Sequence, residues 1–287
     1  MDIELLRTFV QVAKSQHFRK AAEILYLTPS AVSARIKQLE ERLGTPLLNR
    51  DKHQVSLTPA GERFLEHAKQ MSSIWYRACQ EATLSGTVKS SIVVGSTDTL
   101  WSSFLTRWLG EMRQEHPECS LWAELHTVDT LISALLHGML DVVVSFDIPV
   151  LPRLTIKELA MMDFVLVSDV KNIGVEQAMG AGYIAVDWGD AFAASLYQQL
   201  GFGSIAGVHT NVGKLAYAMI EQGGGSAYLP RGMVKADLAV GRMFVVEDAP
   251  IMSRPVYAAA LTEQYESHGR LVTGIEMMGR SVQIALV

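Results

Sequence analysis

The feature that most constrains this chain is a short joint, Leu27-Thr28-Pro29-Ser30, set between stretches of helical periodicity. Thr is a favoured N-cap because its hydroxyl accepts a backbone N–H from the next turn. Pro suits the first helical position, where its missing N–H costs nothing. A helix is therefore expected from Pro29, with Val32, Ile36, Leu39 and Leu43 on its apolar face and Gly44 as C-cap. Upstream, Leu5, Leu6, Phe9, Val12 and Ala13 predict an amphipathic helix over 3–14, and Phe18, Ala21, Ala22 and Leu25 a second, short one. Downstream, Pro46, His53 and Gln54 precede the strand-like Val55-Ser56-Leu57, which reads as a β-wing. Helix, helix, tight turn, helix and wing is the order of a winged helix-turn-helix, whose third helix enters the major groove of duplex DNA.

The positions of that third helix not used by the core are Ser30, Ser33, Ala34, Arg35, Lys37 and Gln38. Short hydroxyls allow close approach and can donate to phosphate, while Arg35 and Lys37 supply charge and Arg can fork onto a guanine edge. Arg50, Lys52 and His53 fall at the wing, within reach of phosphate or the minor groove. Taken singly, each is equally an ordinary solvated side chain; the set on one scaffold points to DNA. Charge agrees: residues 1–60 hold nine Lys/Arg against six Asp/Glu, whereas the whole chain is net −5. A basic head on an acidic body suits a polyanion-binding module joined to something else.

A further helix starts at Thr58-Pro59-Ala60-Gly61. Its Phe64, Ala68, Met71, Trp75, Ala78 and Ala82 alternate four- and three-residue steps, a heptad seam. Two readings stand: a helix that pairs with a second copy, with Phe64, Ala68, Met71, Trp75 and Ala78 as the dimer face, or one packed on its own domain. Ser85-Gly86-Thr87 then reads as a linker. From residue 90 strands and helices alternate: strand 92–96, helix 98–115, strand 121–127, helix 129–138 and strand 140–146. That order predicts a parallel sheet. Pro149 and Pro152 interrupt it. A second α/β unit follows, with strands near 155–168, 183–188, 208–210 and 226–229 and helices near 191–200, 212–221 and 232–239. Arg254–Leu261 can carry the chain back to the first unit before a final helix near 264–280.

Other function classes find little support. No apolar run approaches the roughly 18–20 residues of a membrane span, and the opening MDIELLRTF lacks the basic-then-apolar order of a secretory signal. A cytoplasmic location, with no membrane partner, is the expectation. Cys79 and Cys119 have neither metal nor redox spacing, and His116, His126 and His137 show no paired zinc-type spacing, so neither metal nor cofactor is expected. Gly180-Ala181-Gly182 precedes a strand rather than following one into a helix, the wrong context for a dinucleotide loop. No Gly-x-Ser-x-Gly elbow is present, and Asp141 suits the start of a strand better than half of an acid–base pair. A solute-binding protein or small-molecule enzyme built on the α/β part is the rival class, weakened by the absence of a signal pattern and of a catalytic constellation.

The run Leu6, Phe9, Val12, Phe18, Ala21-Ala22, Leu25, Leu27-Thr28, Ser30-Ala31-Val32-Ser33, Ile36, Leu39-Glu40, Leu43-Gly44, Leu47, Arg50, Leu57-Thr58, Ala60-Gly61 resembles the LysR-type transcriptional regulator family without gaps over residues 3–61. Leu100-Trp101, Arg107-Trp108-Leu109-Gly110, Trp188-Gly189, Leu229-Pro230 and Ser253-Arg254-Pro255 are similar to its HdfR-like subgroup, named for control of flagellar genes. One departure stands out. The family often has Gln after Thr28, where it can read a base, and Pro29 cannot do so.

The resemblance implies an α/β chain in three parts: a winged helix-turn-helix over 1–58, a linker and dimerisation helix over 59–88, and an effector-binding domain over 89–287 like periplasmic binding proteins. Subdomain I would hold 89–152 and 262–287, and subdomain II 153–261. It also implies a regulator rather than an enzyme. Its partners would be promoter DNA, a second copy or a tetramer, RNA polymerase, and a small-molecule effector between the subdomains. Ligands of α/β sheets lie beyond strand ends, which nominates Ser96, Thr97, Asp98, Thr127, Ser145, Phe146, Thr210, Asn211 and Gly224. Each is equally suited to be a cap or turn residue. Trp101 and Trp188 could wall the pocket or pack in the core.

Overall fold

The computed structural model describes residues 2–50, 55–82, 90–201, 203–204 and 206–286. The chain divides into two compact units, residues 1–86 with 137–139 and residues 87–136 with 140–287.

In the first unit, α1 (Ile3–Ser15) starts under Asp2, whose carboxylate accepts the Glu4 N–H at 3.0 Å. It is followed by α2 (Phe18–Leu25) and α3 (Pro29–Leu43). Thr28 Oγ1 accepts the Ala31 N–H at 3.2 Å, and Gly44 closes α3 at φ +69°. The joint thus does what its residue types require. The wing strands β1 (Leu48–Arg50) and β2 (Val55–Leu57) pair antiparallel, with Leu48 opposite Leu57. Glu40 Oε1 accepts the N–H groups of Leu47 and Leu48 at 2.8 and 3.2 Å, tying the wing's entry to α3.

The long helix α4 (Pro59–Ala82) begins under Thr58, whose hydroxyl accepts the Gly61 N–H at 3.0 Å. Gly61 permits a close approach: a Cβ there would lie 2.0 Å from the Leu47 carbonyl oxygen. The core gathers Leu5, Phe9, Val12, Val32, Ile36 and Leu39 with Ala68 of α4. Three expectations for the heptad seam need correction. Ala68 is fully buried in this core, and Phe64 and Met71 pack against it, with the Phe9 and Phe64 rings 5.7 Å apart. Those three positions are used within the chain itself. Ile74, Trp75 and Ala78 further along are exposed. An apolar stripe serves either purpose, and α1 lies close enough to claim its first half.

The second unit opens with β3 (Ser90–Ser96). The helix after it runs as α5 (Asp98–Leu100), a π-helical turn (Trp101–Leu105) and α6 (Thr106–Glu115). Then come β4 (Cys119–Leu125), α7 (Val128–Leu136), β5 (Val142–Ser145), the 15-residue β6 (Leu154–Ser168), α8 (Val175–Ala178) and β7 (Ile184–Val186). These are followed by α9 (Asp190–Leu200), β8 (Val208–Thr210), α10 (Gly213–Gly223), β9 (Ser226–Pro230), α11 (Arg231–Val240), β10 (Phe244–Val245), β11 (Met252–Leu261), α12 (Thr262–Ser267) and α13 (Gly269–Leu286).

β3 pairs parallel with β4 and β5, as alternation predicts. The rest departs from two separate parallel units. β6 and β11 form a long antiparallel ladder from Leu154–Leu261 to Phe164–Met252, and β11 also pairs β5, so one sheet runs in the order β10-β6-β11-β5-β3-β4 with β9 beside β6. β7 and β8 form a separate parallel pair. The predicted final helix is two, α12 and α13. Trp108 on α6 anchors α13 through an Nε1–H bond to the Gly274 carbonyl at 2.9 Å.

Candidate nucleic-acid interface and effector cleft

On α3, Ser30, Ala34, Lys37 and Gln38 are exposed and Ser33 is half-buried, so this face is open. The Ser30 and Thr28 hydroxyls lie 3.0 Å apart at its start. Lys37 is exposed, with Glu41 3.7 Å away one turn on. Arg35 is a correction. Its Nη1 donates to Glu4 Oε2 and to Thr8 Oγ1, both at 3.3 Å, and its side chain is 30% exposed. It is turned onto α1, because Thr8 is a buried hydroxyl and Glu4 offers the opposite charge. Lys52, His53 and the side chain of Arg50 lie outside the described residues. Leu43, expected on the apolar face of α3, is exposed at its end, and Tyr26, in the turn before the joint and not nominated from the sequence, is 95% exposed. An aromatic in a loop carries no periodicity signal, and only its position beside the cap of α3 could have flagged it.

In the second unit the nominated residues separate. Ser96 and Ser145 are buried, Ser96 Oγ donating to the Val144 carbonyl at 2.7 Å and Ser145 Oγ accepting the Asp147 N–H at 3.3 Å. Their hydroxyls serve the fold. Thr97 holds the N-cap position of α5 without a side-chain bond to it, and Asp98 Oδ2 is buried with no hydrogen-bond partner among the described residues. Thr127 is exposed and 3.1 Å from the Thr130 hydroxyl. Thr210 Oγ1 accepts the Val212 N–H at 3.0 Å, and Asn211 is exposed. Gly224 is a correction. It sits at φ +76° over Asp169, beyond the Ser226–Ser168 end of β9 and β6, away from the Pro230–Phe164 end.

A cavity of about 790 Å³ lies beside Met252, the register partner of Phe164, and of the nominated residues only Phe146 lines it. Its walls include Phe192, Met252 and Tyr257, with Asp147 and Arg254 as the sole charged residues among the described lining. Arg254, on β11, is buried, and its guanidinium stands 5.1 Å from the Phe146 ring centre. Its Nη2 meets Asp147 Oδ1 at 2.5 Å and its Nη1 donates to the Trp188 carbonyl. In the sequence Arg254 stands out only within Ser253-Arg254-Pro255; the signal that marks it is a lone cation in a mostly apolar strand. Trp188 is a core residue: its Nε1–H donates to the Tyr228 carbonyl at 2.9 Å and its ring lies 4.7 Å from Phe164. Trp101 is half-buried and donates to the Glu124 carbonyl at 3.0 Å.

A second cavity of about 320 Å³ is lined by Ser102, Ser103, Met162, Lys214, Tyr217 and Met233, among others. Tyr217 donates its hydroxyl to the buried Asp237 carboxylate at 2.7 Å, and Arg242 Nε reaches the other oxygen at 2.7 Å. The Tyr217 bond first, then Arg242, holds the Asp237 carboxyl below its ordinary range, and the same bond pushes the Tyr217 hydroxyl well up. Among the described residues no helix is long and apolar enough to cross a membrane.

Known proteins share this architecture. Residues 3–62 match the family described as bacterial regulatory helix-turn-helix protein, lysR family, and residues 85–269 match the LysR substrate binding domain. The chain is 33% identical over 270 residues to the HTH-type transcriptional regulator HdfR of Yersinia enterocolitica, covering 91% of each. It superposes on CbnR, a LysR family transcriptional regulator, with TM-score 0.72 and 21% identity over 98% of this chain and 99% of that one. Full-length CbnR complexed with its target DNA gives TM-score 0.70 at 20% identity, over 98% and 100%. LysG of Corynebacterium glutamicum, solved with bound effector Arg, gives 0.53 at 20% identity, over 97% and 98%.

Proposed function

This chain belongs to the LysR family of DNA-binding transcriptional regulators, and from that premise we propose that its α/β unit is a receptor for a small effector that tunes DNA binding by the helix-turn-helix head. The observation that carries the reading is the open α3 face, capped by Thr28 and bearing Ser30, Ser33, Lys37 and Gln38. Phosphate contacts fix such a head on the duplex, and base edges supply specificity. Pro29 puts apolar surface where a polar side chain could read a base, so the operator differs from those read through Gln.

In this reading residues 1–58 read DNA, 59–88 pair with a second copy, and 89–287 sense the effector. The exposed Ile74, Trp75 and Ala78 of α4 form the pairing face. The effector cavity is the one walled by Phe146 and Arg254. LysG, solved with its effector, sets the precedent for a ligand in this fold. The regulator works in the cytoplasm, as a dimer or tetramer, alongside RNA polymerase. The HdfR-like resemblance makes flagellar genes the first targets to examine.

Genome-fragment pull-down with the full chain, followed by gel retardation of the recovered fragments at rising salt, tests the reading. Affinity should fall steeply with salt, because each neutralised phosphate releases counterions. Ser33→Asp should weaken retardation at least about tenfold, or 1.4 kcal/mol, by setting a carboxylate against phosphate. Undiminished retardation by that variant would remove α3 from the groove.

A further inference from the structure

We infer that the effector cavity takes a carboxylate-bearing ligand with an apolar body, and that the ligand's carboxylate displaces Asp147 from Arg254. The inference rests on the receptor reading above and names the class of ligand for it.

A buried cation is costly unless it is paired. The Arg254 side chain is 7% exposed, and a guanidinium so far out of water must keep an anionic or carbonyl partner. It has two of different character. The Trp188 carbonyl is fixed backbone beside β7, and the Trp188 ring is locked between Phe164 and the Tyr228 carbonyl. Asp147 is different: its side chain is 53% exposed and it lies just past the end of β5, before Pro149. Returning its carboxylate to water costs little, whereas leaving Arg254 unpaired costs much. The pair is therefore exchangeable on one side only, and an entering carboxylate can take the place of Asp147 with the same oxygen geometry.

The surrounding wall explains why a carboxylate with an apolar body would win. Phe146 covers the guanidinium end, and Phe192, Met252 and Ile251 extend the apolar surface, with Ser195 and Gln199 as polar lining. A cavity of about 790 Å³ is far larger than an acetate-sized group, so the rest of the ligand gains by burying carbon there. A neutral or cationic ligand cannot replace Asp147 and would compete with nothing. The exchange has a mechanical consequence. Arg254 on β11 holds both the segment after β5, through Asp147, and the segment after β7, through Trp188. A carboxylate that evicts Asp147 cuts that tie and releases the β5 end.

The test is isothermal titration of the full chain with benzoate, phenylacetate and acetate, with benzamide as neutral isostere and inorganic phosphate as a second anion. Asp147→Asn removes the internal competitor. It should bind at least one of the two aryl carboxylates tenfold or more tighter than wild type, with acetate weaker and benzamide unchanged. Arg254→Gln should bind none of them. Should that variant fail to fold, the comparison of Asp147→Asn with wild type decides alone. No gain for either aryl carboxylate in Asp147→Asn, equal binding of benzamide, or tighter binding of phosphate would each overturn the inference. Retardation of recovered genomic DNA by the ligand-free wild type, run in parallel, separates the cases. Its loss sinks the regulator reading, while its persistence beside a failed titration sinks only the ligand class.

Discussion

Arg35 offers the sharpest separation between a DNA contact and a structural one. Replacing it with Met keeps most of the side-chain volume and removes every donor. The structure shows two bonds at stake, both at 3.3 Å: one to Glu4, whose side chain is 43% exposed, and one to the buried Thr8 hydroxyl. A half-exposed ion pair contributes about 0.2–1 kcal/mol, and a net hydrogen bond about 0.5–1.5 kcal/mol. Thr8 Oγ1 keeps its bond to the Glu4 carbonyl at 2.6 Å, so its hydroxyl is not orphaned. The combined loss is about 1–2 kcal/mol of α1–α3 docking. Amide hydrogen exchange of α1 in the intact chain reads this directly, as protection factors falling roughly five- to thirtyfold. DNA binding supplies the second axis. A phosphate contact contributes about 0.9 to the slope of log affinity against log salt, so Arg35→Met should leave the slope unchanged while Lys37→Met lowers it. A variant whose α1 protection is intact but whose salt slope drops by about 0.9 would show that Arg35 swings out to the duplex and that the tie to α1 is incidental.

Two further outcomes follow from the geometry. Trp75→Glu should shift sedimentation toward a smaller species without unfolding the head, since Trp75 is 54% exposed within the protomer; an unchanged species would exclude the second half of α4 as the pairing face. For Asp237, whose folded carboxyl titrates below its unfolded value, the stabilisation is complete above about pH 4 and is lost as pH falls through the depressed folded value. Tyr217→Phe removes the leading cause, so its urea midpoint should trail wild type at pH 7 and converge with it in acid; a gap that persists undiminished at low pH would contradict that assignment.

What was legible in the sequence was local. Thr28, Pro29 and Gly44 mark the ends of α3 because caps act within a few residues, and the β3–α–β4–α–β5 order follows from alternation alone. What was hidden depends on partners far along the chain. Arg35 meets Glu4 31 residues away, and Arg254 meets Asp147 107 residues away. Helical spacing places Arg35 off its own core face without revealing that α1 waits there. The heptad stripe of α4 could not say whether Phe64 and Ala68 face a neighbour or their own core, since both want the same carbon. Gly224 was misplaced because a glycine's backbone freedom says nothing about which end of a sheet it occupies; it precedes β9, at the Ser226–Ser168 end, and lies outside the cavity lining.

The π-helical turn Trp101–Leu105, in which the Thr106 N–H reaches back to the Trp101 carbonyl, has a consequence for phase. At about 100° per residue, an unbroken helix would place Leu100 and Met112 roughly 120° apart around the axis. The one extra residue in the wide turn rotates everything after it back by about 100°. Leu100, Trp108 and Met112, all fully buried, then fall within about 40° of each other. The whole stretch from Asp98 to Glu115 can thus present one continuous dry seam to its neighbours, where a regular spiral would have carried Met112 out toward water.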